Sequence, residues 1–176
     1  MVGGNLKCQR PGGLAMADRH DVVEGGCLCG AIRYKSSKAP IQGAYCHCAI
    51  CQKIYGGLFM AAVQFNCADF QFAKGVPKYY RSSKYARRGF CADCGTPLIM
   101  AYDETPSVWA LIGSLDRPQD WPLTKDAVWS RAMHLHVDRK VAWSVIDDGL
   151  PQFTSETTPF RDEATERASS GPASET

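Results

Sequence analysis

Residues 45–53 read Tyr-Cys-His-Cys-Ala-Ile-Cys-Gln-Lys, so three cysteines fall within six positions. Seven of the nine cysteines lie in three such clusters: Cys27 and Cys29, Cys46, Cys48 and Cys51, and Cys91 and Cys94. Short spacings of this kind suit metal ligation, because one turn of chain can direct two thiolates at one ion. Four of these cysteines would complete a tetrahedral site, whereas the other three would leave a second site with one position open for water or substrate.

Length and charge narrow the class of protein. The chain has 176 residues, of which 45 % are hydrophobic, and this is typical of one compact globular domain. Its formal charge of +2 gives no reason to expect binding to nucleic acid or to a membrane. Residues 1–18 lack the apolar core of a signal peptide. We therefore expect a cytoplasmic protein, in which clustered cysteines more often indicate metal binding or catalysis than disulfides.

Composition divides the chain into three segments. Residues 1–20 are rich in glycine and polar residues without periodicity, and we expect them to form a disordered leader. Residues 21–160 carry the apolar segments and the cysteine clusters, so we expect them to form one zinc-binding domain. Residues 161–176 are rich in Ser, Glu, Ala and Thr and predict a disordered tail.

The secondary-structure signals between the two ends are mostly those of β-strands. Short apolar or alternating runs predict strands over residues 27–35, 57–65, 70–72, 78–82, 87–90, 97–102, 108–112, 133–137 and 140–145. In the first of these, Cys27 and Cys29 would share one strand face. Residues 49–55 predict one short helix that ends at Gly56-Gly57. The expected class is mainly β, with metal sites at the turns.

The pair Cys91-x-x-Cys94, followed at once by Gly95, has the spacing of a zinc knuckle. A redox pair is the rival interpretation, but such a pair usually opens a helix, and Pro97 argues against a helix start here. Cys27 and Cys29 are the expected partners, so that four thiolates hold one structural zinc. The remaining alternative is that all four are merely buried thiols.

The cluster of Cys46, Cys48 and Cys51 predicts a second zinc with an open coordination position. His47 is a candidate fourth ligand, although on an extended backbone it would point away from its two neighbours. Cys67 is the other candidate. Three thiolates leave a zinc site net negative and a poor activator of water, but suited to a soft ligand such as a thiol. A thiol held there as thiolate would be nucleophilic and could attack a small aldehyde.

Residues around the clusters are candidates for substrate binding. Lys53 lies next to the three-cysteine cluster and would either hold a carboxylate or be an ordinary surface lysine, and Tyr55 and Gly57 could shape the rim of the site. A stretch of basic and aromatic residues precedes Cys91: Lys78, Tyr79, Tyr80, Arg81, Lys84, Tyr85, Arg87 and Arg88. It is interpreted as a solvated hairpin, with an anionic small ligand or nucleic acid as the alternatives.

Four motifs together resemble the glutathione-dependent formaldehyde-activating family, also described as the CENP-V/GFA family. They are Gly-Gly-Cys-Leu-Cys-Gly-Ala-Ile-Arg-Tyr at residues 25–34, Cys-His-Cys-x-x-Cys-x-Lys at 46–53, Arg-Gly-Phe-Cys-x-x-Cys-Gly-Thr-Pro-Leu at 88–98, and the segment from His134 to Phe153. The resemblance covers about residues 24–153, and it is specific because three cysteine clusters match in order and context.

The resemblance implies an Mss4-like fold in which strands form a tent, and two zinc ions per chain. It implies a structural zinc on Cys27, Cys29, Cys91 and Cys94, and a second, catalytic zinc on Cys46, Cys48 and Cys51. The implied activity is that of a carbon–sulfur lyase, which forms or cleaves the S-hydroxymethyl adduct of glutathione and formaldehyde. The expected partners are therefore a thiol such as glutathione and a small aldehyde. The alternative is a non-catalytic zinc module that binds a thiol or a macromolecule, and the oligomeric state is left open.

Overall fold

The computed structural model describes residues 22–103, 105–127 and 131–160. The predicted leader and tail lie outside these residues. Eleven strands and one α-helix form within them: β1 Val23–Gly26, β2 Arg33–Ser36, β3 Gln42–Cys46, α1 Ala49–Tyr55, β4 Met60–Asn66, β5 Phe70–Lys74, β6 Lys78–Arg81, β7 Ala86–Phe90, β8 Pro97–Tyr102, β9 Ser107–Leu111, β10 Ala132–Leu135 and β11 Gln152–Phe153. The expectation of a mainly β fold is confirmed.

The strands form two sheets within the described residues. The smaller sheet is antiparallel and has the order β1-β2-β5. The larger sheet has the order β11-β10-β3-β4-β9-β8-β7-β6, and it is antiparallel except where β10 runs parallel to β3 and to β11. Two sheets of unequal size that share a core are consistent with the tent-like arrangement that the family resemblance implied.

Strand β4 is buried on both of its faces. Val63 and Phe65 contribute to a core that also takes side chains from the smaller sheet, whereas Met60 and Ala62 contribute to a second core. Because side chains alternate between the faces of a strand, the two cores lie on opposite sides of the larger sheet at β4. This explains why residues 57–65 read as a continuous apolar run. The three-cysteine cluster belongs to the second core.

The helix α1 has the bounds predicted from the sequence. It begins after Cys48, whose sulfur accepts a hydrogen bond from the backbone N–H of Cys51 at 3.4 Å. It ends at Gly56, which has a left-handed φ of 63° that a side chain would disfavour. In the part of the chain that the structure describes, no helix is long and apolar enough to cross a membrane.

Two predicted strands are wrong. Residues 27–35 do not form one strand, because a turn separates β1 from β2, with Gly30 at a φ of 72° and Leu28 89 % exposed. Cys27 and Cys29 are therefore presented by a turn rather than by a strand face. Residues 140–145 are also not a strand. Their backbone amides bond locally, with the N–H of Lys140 donating to the carbonyl of Val137 and that of Ser144 to Val141.

Candidate metal centres

The structure brings together the four cysteines that were predicted to form one site. The sulfurs of Cys27, Cys29, Cys91 and Cys94 lie within 4.8 Å of one another. The Cys27 and Cys29 sulfurs are 3.4 Å apart, and those of Cys29 and Cys91 are 3.7 Å apart. A tetrahedral zinc with Zn–S bonds near 2.3 Å requires sulfur–sulfur separations of about 3.8 Å. The quartet therefore fits a four-thiolate ion closely.

Two turns of similar construction present this quartet. The first joins β1 to β2 and the second joins β7 to β8, and a left-handed glycine follows each cysteine pair, Gly30 at φ 72° and Gly95 at φ 74°. The turns are also tied to each other, because the Leu28 N–H donates to the Thr96 hydroxyl at 3.2 Å. Since β1 and β2 belong to the smaller sheet and β7 and β8 to the larger, the quartet joins the two sheets.

The three-cysteine cluster sits where β3 gives way to α1. Cys46 ends β3, Cys48 precedes the first residue of α1, and Cys51 lies in the first turn of that helix. Their sulfurs lie within 4.8 Å of one another, and each residue is at most 5 % exposed. No further His, Cys, Asp or Glu ligand atom completes this group among the described residues. The second cluster thus offers three buried sulfurs of the type that soft and borderline cations prefer.

The three thiols influence one another strongly. Hydrogen bonds from Cys46 and Cys51 lower the pKa of Cys48 to about 2. The hydrogen bond to Cys48, the hydrogen bond to Cys51 and burial raise the pKa of Cys46 well above its ordinary value. One thiolate is therefore easily formed, and the second and third are opposed by the charge of the first. Full ionisation of this buried group needs a cation, which is what a metal site supplies.

Neither candidate fourth ligand joins the cluster. His47 points the other way, and its Nε2 lies 2.8 Å from Nδ1 of His134, whose Nε2 lies 2.8 Å from a carboxylate oxygen of Asp148. If His134 donates to Asp148, its Nδ1 accepts the proton of His47. Burial and the neighbouring His134 lower the pKa of His47 to about 4, so the ring is neutral. Cys67 follows the far end of β4, about 23 Å along the strand from the Met60 that pairs with Cys46.

A small cavity adjoins the three-cysteine cluster. Cys46 and Cys51 line it together with apolar and polar side chains from six strands and from the segments after β10 and β11: Ala44, Met60, Arg88, Met100, Tyr102, Trp109, Leu135, His136 and Phe160. Its volume is about 20 Å³, which is room for a water-sized molecule. Trp109 is 2 % exposed, and its buried indole N–H has no acceptor among the described residues. The cavity is thus mainly apolar, and one of the residues that line it has a buried donor without an acceptor among the described residues.

A larger groove lies on the outer side of Arg88. Its volume is about 330 Å³, and its walls include Tyr55, Lys78, Tyr80 and Pro97. Arg88 lines both the groove and the inner cavity, so it stands between them. Lys53 and Gly57, which were predicted with Tyr55 to bind substrate, are exposed and do not line this groove. Of the three, only Tyr55 is placed where it can touch a ligand in the groove.

The basic stretch before Cys91 forms the β6–β7 hairpin, and its arginines have different surroundings. Arg81 and Arg87 both reach Asp103, at 2.6 Å and 2.8 Å. Arg88 instead turns inward and is only 6 % exposed. The sequence could not distinguish these neighbours, because strand alternation separates Arg87 from Arg88 but does not say which of them faces the core.

His136 is a second residue whose place the sequence did not indicate. It falls within the strand predicted over residues 133–137, but it lies just past β10 in a left-handed conformation with a φ of 57°. Its ring lines the inner cavity, and its Nδ1 is 3.1 Å from the hydroxyl of Ser155, which also contacts Asp138 at 2.9 Å. A chain of contacts thus runs from the exposed Asp138 through the buried Ser155 to His136 at the cavity beside the thiols.

Comparison with known proteins identifies relatives. The family model described as glutathione-dependent formaldehyde-activating enzyme matches residues 22–132. An uncharacterized lyase from Schizosaccharomyces pombe is 39 % identical over 82 residues, which are 45 % of this chain and 57 % of that protein. A crystal structure of a Rhodobacter sphaeroides protein aligns with a TM-score of 0.44 and 18 % identity, over 53 % of this chain and 87 % of that one. The family match spans more than half of the chain and includes all seven clustered cysteines, and so the chain belongs to the glutathione-dependent formaldehyde-activating enzyme family.

Proposed function

We propose that this protein is a zinc-dependent carbon–sulfur lyase that binds a thiol such as glutathione and forms or cleaves its adduct with a small aldehyde. Membership of the family and the name of the yeast relative, a lyase, support the reaction class. The match covers little more than half of that relative, so its activity enters here as part of the proposal. A cytoplasmic location remains a prediction from cysteine use.

One observation carries the proposal: the two cysteine clusters differ in completeness. Four sulfurs surround the first position, and three surround the second, with no fourth ligand atom among the described residues. A closed four-thiolate site is suited to structure, whereas a site with three protein ligands can accept a ligand from outside. The three-sulfur cluster also adjoins a cavity, as a site that receives a substrate must.

Zinc, when bound by Cys46, Cys48 and Cys51, supplies an open coordination position at which a thiol is held as its thiolate. Residues of the groove and the cavity would bind the body of the thiol and the electrophile. The groove with Tyr55 and Tyr80 is large enough for the body of a small peptide thiol, and Lys78 offers a positive charge for a carboxylate. The cavity has room for a water-sized molecule, so it favours a very small electrophile.

Trp109 is the residue we assign to the aldehyde. The carbonyl oxygen gains negative charge as the bond to sulfur forms, and a donor placed near it lowers the barrier. The indole N–H of Trp109 is buried at the cavity without an acceptor among the described residues. In the forward reaction a carbon–sulfur bond forms, the carbonyl π bond opens, and the oxygen takes up the proton that the thiol released. Nothing is oxidised or reduced, and the reverse reaction breaks the same bond.

The test is a count of zinc ions and bound thiol per chain by native mass spectrometry, in a phosphine reductant, with and without excess glutathione. We expect two zinc ions and one glutathione per chain. Cys48→Ser should lose one zinc and the glutathione, and Cys67→Ser, at the far end of β4, should lose neither. Exchange of ¹³C-formaldehyde between its free and thiol-bound forms, followed by NMR, should be faster with the wild type than with Cys48→Ser.

The outcomes separate the candidate functions. Two zinc ions with bound glutathione but no faster exchange would leave a thiol-binding module and remove the lyase. Two zinc ions that no thiol can approach would mean that both clusters are structural. A Cys48→Ser variant that still catalyses exchange would refute the assignment of the reaction to this cluster.

A further inference from the structure

Arg88 is a buried cation with no carboxylate beside it among the described residues. It is 6 % exposed, and its Nε donates to the Ser82 hydroxyl at 3.0 Å while Nη1 donates to the Tyr55 hydroxyl at 2.7 Å. Both acceptors are neutral. Arginine keeps its charge in proteins, and a buried charge is costly unless an opposite charge lies near it. Its neighbours on the hairpin, Arg81 and Arg87, have Asp103 for this purpose.

Among the groups that Arg88 touches, the Cys51 sulfur of the three-cysteine cluster is the one that would carry negative charge with a metal ion bound. Nη2 of Arg88 lies 3.6 Å from the Cys51 sulfur, which is within the range of a hydrogen bond to sulfur, and Nη1 lies 3.8 Å from the sulfur of Met60. Three thiolates and a divalent ion carry a net charge of −1. Arg88 brings this local charge to zero. Binding of an anionic fourth ligand would then bring the net charge of the ion, its four ligands and Arg88 to −1. Without Arg88 the same site would carry a net charge of −2.

We propose that Arg88 is a specificity-determining residue that makes the three-cysteine site prefer an anionic sulfur ligand over a neutral one. The inference rests on the proposed function, because it assumes an ion at these three sulfurs. The position of Arg88 fits the role, since it touches Cys51 on one side and lines the outer groove on the other. A thiol that enters from the groove therefore passes the guanidinium before its sulfur reaches the cluster.

The hydrogen bonds of Arg88 to Ser82 and Tyr55 hold its positive charge at a fixed place in the site. Ser82 ends the β6 side of the hairpin, and Tyr55 ends α1, the helix that carries Cys51. The Tyr55 ring also lies against the guanidinium, 5.3 Å from ring centroid to Cζ. Because these groups hold the guanidinium of Arg88 in place, its charge cannot move out to solvent as the charge of a surface arginine can.

The experiment uses the protein with cobalt(II) in both sites, since cobalt bound by sulfur has visible absorption bands that change with its ligands. The wild type, Arg88→Lys and Arg88→Met are titrated with 2-mercaptoethanol and, separately, with imidazole as the neutral ligand. Native mass spectrometry counts cobalt per chain, and circular dichroism checks the fold. Arg88→Met should bind the thiol about 10- to 100-fold more weakly, the range expected for losing one nearby charge, and imidazole within about threefold of the wild type. Arg88→Lys should keep most of the preference for thiol.

Three results would overturn the inference. In the first, Arg88→Met binds the thiol as tightly as the wild type. In the second, Arg88→Met loses affinity for thiol and for imidazole equally. In the third, Arg88→Lys loses the preference for thiol as fully as Arg88→Met does. If Arg88→Met fails to hold the second cobalt, Arg88→Gln supplies the uncharged variant, and if both fail, Arg88→Lys decides alone. A wild-type protein that holds two cobalt ions and takes no thiol would instead refute the proposed function itself.

Discussion

Loss of one sulfur from the four-cysteine cluster should unfold the small sheet, whereas loss of one from the three-cysteine cluster should not. The quartet joins the turn after β1 to the turn after β7, so it fastens the smaller sheet to the larger one. Cys91 is 1 % exposed and packs into the core between the sheets. We therefore expect Cys91→Ser to release the turn between β1 and β2 from its anchor.

The magnitude follows from the side chains that the smaller sheet and its β1–β2 turn bury. Val23, Ile32 and Phe70 are between 2 % and 5 % exposed. Full burial of such a side chain is worth about 1.5–3 kcal/mol, so the three together represent about 5–9 kcal/mol. A domain of this size has a total free energy of unfolding of about 5–15 kcal/mol. Release of the smaller sheet would therefore remove most of the stability.

Cys48→Ser is the matched variant. Cys48 is the residue that caps α1, and serine is among the best residues at that position, so the helix should keep its first turn. Its loss of stability is limited to what the second zinc contributes, so we expect its free energy of unfolding to fall by less than that of Cys91→Ser. The assay is urea unfolding of zinc-loaded protein, followed by far-ultraviolet circular dichroism and tryptophan fluorescence. Equal urea midpoints for Cys91→Ser and wild type would refute the assignment of the quartet to the fold.

Three further predictions concern packing, pH and metal loss. Gly25→Ala should lower the free energy of unfolding by about 1–3 kcal/mol in urea titrations, because its new methyl group would overlap the Tyr34 ring and the Ser114 carbonyl. Gly57→Ala, where the nearest atom is 3.6 Å away, is the control and should change stability little. Asp103 accepts a hydrogen bond from Arg81, and this bond lowers the pKa of Asp103 in the folded protein. The carboxylate therefore stabilises the fold above its unfolded pKa of about 4. This stabilisation is lost as the pH falls through the lower folded pKa. The difference in unfolding free energy between wild type and Asp103→Asn should therefore shrink between about pH 5 and pH 2, and a constant difference would contradict this. A chromogenic chelator should remove one zinc quickly, because three protein ligands hold an ion less firmly than four. It should remove the second zinc only as the protein unfolds, which circular dichroism reports. Loss of both zinc ions in one phase would count against two unlike sites.

The sequence predicted the helix and most central strands because their signals are local. Residues 49–55 carry a helix that stops at a glycine pair, and residues 97–102 form a strand with the predicted bounds. The failures come from contacts that no local pattern encodes. The turn at residues 27–31 reads as part of a strand because its apolar residues alternate, yet Leu28 is 89 % exposed beside a quartet whose other two cysteines lie in a distant part of the chain.

Membership of the site was predictable from spacing, but its surroundings were not. The three cysteines of residues 46–51 are close in sequence, so any turn would bring their sulfurs together. Arg88, Trp109 and His136 reach the same cavity from β7, β9 and the end of β10. Their arrival depends on sheet order, in which β4 lies between β3 and β9. A single sequence carries no direct signal for that order, because parallel and antiparallel pairings of distant strands have the same alternation.

The two clusters lie in two cores, so the structural ion and the catalytic ion that we propose would be held in separate parts of the protein. The quartet contributes Cys27 and Cys91 to the core between the sheets, and the three-cysteine cluster belongs to the core on the other side of β4. Strand β4 is shared by both, but its side chains alternate, so Phe65 supports one core and Met60 the other. A substrate can therefore bind beside Met60 and Arg88 without moving the residues that join the sheets. Loss of the Cys48 sulfur should therefore affect the chemistry, and loss of the Cys91 sulfur should affect the stability.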